Sequence, residues 1–408
     1  MERTIVGIDV GTTKICTLVA EVGDEEQLHV VGVGVVPARG LRKGVIVNVS
    51  EATASIAESI DVAERLSGYQ VERAYVGVSG GHVASMNSRG VVAVGRGDRG
   101  VGYDDIERAM DAAGAVPVPH NRQIIHVIPR GYIVDGQNGI RDPIGMHGFR
   151  MEVEAHIVTG SATAVHNLIN CVENVGVAVD EIILDPLASG QAVLTETERE
   201  MGVVLADVGG GTTDIAIFID GTIWHTVVLE VGGNHFTNDL SIGLRLPFES
   251  AEEVKLRYGH ARPNNVRAEE SFSVASFGGE TQQQVFRREV AYILQARAEE
   301  IFGLILREIK RSGYDGLLPA GVVLCGGSAQ LAGAGELGRQ VLGMPLRIGQ
   351  PGNLLGLVDQ LASPAFATGV GLLRWGLKSS LSPSLHRHRS RVSIGQRIGH
   401  WLRNFLPG

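Results

Sequence analysis

Residues 203–218 read VVLADVGGGTTDIAIF, and the reading of the whole chain turns on them. The aliphatic run Val203, Val204, Leu205 predicts a buried strand ending at Asp207. Val208, Gly209, Gly210 and Gly211 then turn with little side chain, and 215–219 predict a second strand leaving the turn. Glycines here let backbone N–H groups point into one concavity, which suits phosphate oxygens. Thr212 and Thr213 add hydroxyl donors, and Asp207 and Asp214 are carboxylates of the kind that hold a hydrated Mg2+. The same pattern also describes an ordinary tight hairpin. Because it leads into a strand and not a helix, it is neither a P-loop nor a dinucleotide fingerprint.

An echo near the N-terminus raises its weight. Residues 5–13 read IVGIDVGTT, a short apolar strand, Asp9, a turn through Gly11, then Thr12, Thr13 and Lys14 at the start of another strand. Two such hairpins on two similar halves would face one nucleotide. Between them, 185–194 (DPLASGQAVL) predicts a Pro-started helix of small residues, able to pack closely where two halves meet. Residues 363–376 (SPAFATGVGLLRWG) repeat that theme. Gly233 and Asn234 open a further helix after a second hairpin, another place where a phosphate or ribose can meet backbone N–H groups. Glu252 and Lys255 share one helical face, which by itself describes a solvated ion pair. At 326–333 (GGSAQLAG) a strand runs through Gly326, Gly327 and Ser328 into a helix, so backbone can lie flat against a base or ribose.

The coarse organisation follows from the same pattern. Strands are expected at 4–9, 14–21 and 28–37, then a helix with Ser50 at its N-cap, Ile56, Ile60, Ala63 and Leu66 on one face and Gly68 closing it. From about residue 80 to 160 the regular pattern gives way to polar turns, short strands and one helix starting near Tyr103, which reads as an inserted α+β domain. His120, His126 and His147 fall inside it at irregular spacing, poorly suited to a metal site. A helix is expected from Ser161, polar loop or short strands over 260–284, and a long helix from about 284 to 311.

Composition sets bounds. The 408 residues suffice for two to four domains, and the scattered Cys16, Cys171 and Cys325 have no ligand spacing and predict small buried thiols. No signal-peptide pattern and no bilayer-spanning apolar run is present, so a cytoplasmic protein is expected. The net charge is −9, yet seven Lys/Arg and no Asp/Glu lie from Arg374 to the end. An acidic body argues against general nucleic-acid binding.

The basic end has its own pattern. Ile394, Ile398, Trp401, Leu402, Phe405 and Leu406 fall at i, i+4, i+7, i+8, i+11 and i+12, one apolar face flanked by Arg397, His400 and Arg403. It follows a Ser/Pro/His/Arg stretch at 379–393 expected to act as a flexible tether reaching on the order of 20 Å. A helix docked on its own body is the competing reading. Partly immersed, the six side chains would give several kcal/mol and each nearby basic residue roughly 1 kcal/mol on an anionic leaflet.

Taken in this order, the elements resemble the actin/Hsp70/hexokinase superfamily, and within it the FtsA family of bacterial division proteins. LDPLASGQAVLTETERE, VVLCGGSAQLAG, PAFATGVGLLRWG and the ending SIGQRIGHWLRNFLPG carry the likeness. The resemblance implies an α/β, actin-like two-lobed fold of duplicated ribonuclease-H-like halves, with an inserted 1C subdomain and a C-terminal amphipathic helix. It divides the chain into 1A (1–82, 163–200, 364–378), 1C (83–162), 2A (201–238, 302–363), 2B (239–301), linker 379–393 and membrane-targeting helix 394–408.

It further implies ATP and Mg2+ as cofactors. Gly11 to Lys14, Gly209 to Thr213, Gly233, Asn234, Glu252, Lys255 and Gly326 to Ser328 would bind the nucleotide. Asp9 and Asp207 would hold the metal through water, and Asp185 and Gln191 would serve any hydrolysis, expected to be weak or absent. The partners implied are the tubulin-like ring protein FtsZ, other copies of the chain, later division proteins and an anionic membrane. The place implied is the cytoplasmic face of the inner membrane at the septum. A PilM-like pilus-assembly role, or a small-molecule kinase on the same fold, are the alternatives.

Overall fold

In the computed structural model, residues 3–24, 26–95, 100–275 and 282–381 are described; the tether and amphipathic segment read at 382–408 lie outside them. Two sheets of one topology organise the chain. In the first, Arg3–Val10, Lys14–Val22 and Leu28–Pro37 form an antiparallel meander, and Arg73–Val78 and then Ala178–Leu184 add in parallel beside Arg3–Val10. In the second, Val203–Val208, Thr213–Ile219 and Thr222–Leu229 form the meander, and Val322–Cys325 and Leu346–Ile348 add in parallel beside Val203–Val208. The expected duplication of halves is therefore present strand for strand. A two-residue strand, Leu355–Gly356, reaches from the second half to the edge of the first sheet.

The two halves share a core. Leu18 and Leu184 from the first sheet, Leu205, Ala216 and Val323 from the second, and Leu187, Ala188, Val370 and Leu373 from two helices belong to one buried cluster. Those helices, Asp185–Val193 and Ala367–Leu381, cross where glycine permits: a Cβ on Gly371 would stand 1.8 Å from the Ala188 carbonyl oxygen. Each fully buried aliphatic side chain in this layer contributes roughly 1.5–3 kcal/mol.

The insertion is a four-stranded antiparallel sheet, in the order Ala84–Ala93, Arg150–Ser161, Arg122–Val134, Gln137–Ile140, covered by helix Tyr103–Gly114. Gly90 lies under that helix, where a Cβ would meet the Ala109 carbonyl oxygen at 2.0 Å. His126 is buried, and its Nε2 accepts from the Leu184 amide at 3.0 Å, pinning the insertion to the first sheet. Toward the second half, His156 Nε2 accepts from the Thr226 hydroxyl at 3.0 Å, and Ser85 Oγ donates to the Thr226 carbonyl at 2.8 Å.

Several boundaries differ from the sequence expectations. The first long helix is Val49–Ser67, capped by the Asn48 side chain and not Ser50, because Asn48 is extended and accepts from the Glu51 amide. Gly68 does close it in the left-handed region, φ 74°. Leu66, expected on the buried face, is 59% exposed in the last turn. The long helix begins at Arg287 because Gln282–Phe286 pairs with Ser271–Ala275 as a hairpin. The final helix continues through 379–381, shortening the expected tether. Ser161 caps its helix as expected, and all three cysteines are buried and free. Among the described residues no helix is long and apolar enough to cross a membrane.

Candidate functional site

Both meanders place their first turn at the same point. Asp9 pairs with Cys16 across the first hairpin, and Asp207 with Asp214 across the second, so each turn stands at the carboxyl end of its half's first strand. The turns touch. A Cβ on Gly210 would lie 1.8 Å from Thr13 Oγ1, and one on Gly211 2.7 Å from Thr12 Oγ1. Glycine at these two positions is thus favoured by the close approach of the two halves.

A cleft of about 710 Å³ opens beside them. Its walls include Asp9, Gly11, Thr12, Thr13 and Lys14 from the first half, and Asp207, Gly209, Gly210, Thr212 and Asp214 from the second. Asp185 also reaches it, with Gly233, Asn234, Glu252, Lys255, Gly326, Gly327 and Ser328. These come from six separate stretches of sequence. The far wall is knit together: the Gly233 and Asn234 amides donate to the Gly209 and Gly210 carbonyls, each at 2.8 Å, and Ser328 Oγ donates to the Gly209 carbonyl at 3.2 Å. Lys255 Nζ pairs with Glu252 at 2.7 Å and donates to Thr237 Oγ1 at 2.9 Å, which fixes the Glu-x-x-Lys pair at the rim.

Three expected residues stand elsewhere. Gln191 lies outside the cleft, its Oε1 accepting from Arg199 at 3.3 Å and Lys378 at 2.5 Å. Thr213 is fully buried and donates to the Val231 carbonyl at 2.7 Å. Gly211 packs against Thr12 and Lys43.

Four carboxylates share this volume. Burial pushes Asp9 up to about 6, with Lys14 opposing and Asp207 adding to the rise. Asp214 is pushed up to about 7 by burial, against a Ser79 hydroxyl hydrogen bond at 2.6 Å. Asp207 is raised by burial although Ser189 Oγ donates to it at 2.5 Å and Thr368 Oγ1 at 3.3 Å. Asp185 is raised well above the carboxylate range, first by burial and then by its three acidic neighbours, and its buried Oδ1 has no hydrogen-bond partner.

Buried carboxylates without a matching cation are costly, and a divalent ion would remove that cost. No three His, Cys, Asp or Glu side chains among the described residues converge to ligate a metal unaided. Mg2+ does not need them to, since it keeps several waters and takes phosphate oxygens beside one or two carboxylates. The donor set fits a hydrated, nucleotide-borne Mg2+ and would not fit a bare one.

Ser79, Ser189 and Thr368 escaped the sequence reading. Ser189 had a signal: four residues after Asp185 on one helix, it shares that residue's face, whereas Gln191, six on, is turned about 240° away.

Two equivalent halves closing glycine hairpins over one cleft, joined by two crossing helices, define an actin-like ATPase fold. Solved structures agree: the PilM–PilN type IV pilus biogenesis complex superposes with a TM-score of 0.67 at 17% identity, over 91% of this chain and 98% of that one. MreB5 of Spiroplasma citri bound to ADP gives 0.56 at 15% identity, over 93% and 98%. Sequence goes further. The family described as Cell division protein FtsA matches residues 204–371, and the SHS2 domain inserted in FtsA matches 80–159. Cell division protein FtsA of Pseudomonas aeruginosa is 43% identical, over 98% of this chain and 97% of its own length. That of Bacillus subtilis is 40% identical, over 92% and 84%. The chain belongs to the cell division protein FtsA family.

Proposed function

We propose that this division protein binds ATP with Mg2+ in the cleft, assembles with copies of itself, and holds the FtsZ ring to the cytoplasmic face of the inner membrane through residues 394–406. The observation that carries the nucleotide reading is the contact between the two glycine turns across one acidic cleft. In this reading the backbone N–H groups of Thr12, Thr13, Gly210 and Thr212, with Lys14, hold the phosphates, and Asp9 and Asp207 hold the hydrated metal. Glu252, Lys255 and the 326–328 turn flank the nucleoside. The metal would neutralise the carboxylates and the phosphate charge. Asp185, which lines the cleft, is the residue to orient a water; Gln191 is not placed for it. Hydrolysis is accordingly slow.

The membrane contact rests on the apolar face from Ile394 through Ile398, Trp401, Leu402 and Phe405 to Leu406. One such helix binds reversibly; assembly multiplies the contact through effective concentration. The insertion interrupts an otherwise complete half and would serve partners. Cosedimentation with anionic liposomes, with and without ATP and FtsZ, tests the whole reading: FtsZ should pellet only when this protein is present. Sedimentation of FtsZ independent of it would sink the adaptor role.

A further inference from the structure

The residues around Gln191 form a second charged site. Arg199 Nη1 and Lys378 Nζ both donate to its amide oxygen. Arg374 Nη1 donates to the carbonyls of Gln191 and Ala192 at 2.8 and 3.1 Å, and its Nη2 to that of Gly352, so it caps the C-terminus of helix Asp185–Val193. Nearby arginines have carboxylate partners: Arg347 pairs with Glu198 at 2.5 Å, and Arg141 with Glu200. Arg199, Arg374 and Lys378 form no ion pair among the described residues; their acceptors are neutral. Burial lowers all three; Glu196 and Glu198 act the other way on Arg199, and Arg199 and Arg374 push Lys378 down further against Glu196.

Partly buried cations held by neutral oxygens gain from an added anion, and guanidinium forks match phosphate oxygens well. The position says which anion. Lys378 lies one helical turn before Leu381, where the chain passes into residues 382–408 with five Lys/Arg and no Asp/Glu. An anionic surface that engages this segment is brought to the cluster.

We propose that Arg199, Arg374 and Lys378 bind the phosphate of an anionic phospholipid headgroup, seating the body on the leaflet at the root of its tail. The proposal rests on the membrane reading above. Full-length protein saturated with Mg-ATP, so that the cleft takes up no added phosphate, is sedimented with phosphatidylglycerol-containing and pure phosphatidylcholine vesicles. Arg199→Gln/Lys378→Gln should weaken binding to the former at least about tenfold, with little change on the latter, by the usual attraction per basic residue at such a surface. Arg307→Gln/Lys310→Gln, on helix Arg287–Ser312, removes equal charge and should have little effect.

A second readout is independent of the tail. Inorganic phosphate should raise the melting temperature of Mg-ATP-saturated Trp401→Glu protein, and the Arg199/Lys378 pair should abolish that rise. If both charge pairs weaken vesicle binding alike, the effect is diffuse charge and the site is disproved. If phosphate produces no shift, the cluster is a helix cap alone. If wild type and Trp401→Glu sediment equally while the phosphate shift persists, the tail reading fails and the phosphate site stands.

Discussion

Gly210 and Thr13, from opposite halves, meet so closely that a Cβ on Gly210 would stand 1.8 Å from the Thr13 hydroxyl oxygen. Any side chain there must displace the Thr13 hydroxyl beside the cleft. Gly210→Val should therefore lose nucleotide response. Wild type should gain about 2.7 kcal/mol at a hundredfold excess of Mg-ATP over Kd, read by thermal shift. A comparable gain in the variant would move the nucleotide elsewhere.

Asp207 is held by hydroxyls from both connecting helices, Ser189 at 2.5 Å and Thr368 at 3.3 Å, and these two hydroxyls are 3.0 Å apart. Removing a hydrogen bond to a buried carboxylate costs roughly 1.5–3 kcal/mol. Ser189→Ala should lower the unfolding free energy by about that amount in urea titrations and weaken Mg-ATP binding. Thr368→Ser, which keeps the hydroxyl, should do neither. An unchanged Ser189→Ala would mean that Asp207 does not depend on these donors.

His156 lies between the insertion and the second half, with Nδ1 2.7 Å from Asn87 Oδ1 and Nε2 3.0 Å from Thr226 Oγ1. Burial first, then His225 and Arg130, push its pKa down to about 3. The unfolded chain takes up a proton near the ordinary 6.5 while the folded chain stays neutral. This contribution to stability is complete above about pH 6.5 and is lost as pH falls toward 3, at up to about 1.4 kcal/mol per pH unit. His156→Gln should flatten that part of the pH–stability curve. Parallel curves for variant and wild type would show that this imidazole protonates in place.

Trp401 sits in the middle of the apolar face read at 394–406. Trp401→Glu puts a carboxylate where both desolvation and an anionic leaflet oppose it. The variant should keep its Mg-ATP response and remain in the supernatant with anionic liposomes, and Phe405→Glu should match it. Gln396→Glu, off that face, should pellet normally. High salt should release wild type only in part, since apolar burial survives screening. A lowered melting temperature of the body in Trp401→Glu would instead mean a docked helix.

Sequence made the two hairpins legible because a glycine turn between an apolar strand and paired threonines is local, and its repetition could be counted. The same holds for the turn at Gly326 and for the small-residue helices. What stayed hidden is non-local. Ser79 and Thr368 are single hydroxyls whose importance comes from facing Asp214 and Asp207 across the fold. Gln191 matched a motif by order along the chain, but helical phase turns it toward Arg199 and Lys378. The helix starts at Asn48 and Arg287 were displaced for a similar reason, since an extended cap and a strand pairing decided them where propensity was nearly indifferent.

The described residues begin and end in the same half. Arg3–Val10 opens the first sheet, and helix Ala367–Leu381 returns to pack on it, a Cβ on Gly7 falling 2.9 Å from Leu372 Cβ and one on Gly376 2.6 Å from Tyr75. Mechanically, tension applied through residues 382–408 enters at Leu381 and is carried first by that helix and sheet. The second half is an excursion between Val203 and Ile348, off the direct covalent line of pull. The cleft would feel tension when the opposing load is attached to the second half, or to the insertion through its bonds to Thr226; a load on the first half alone would leave the two glycine turns unstressed.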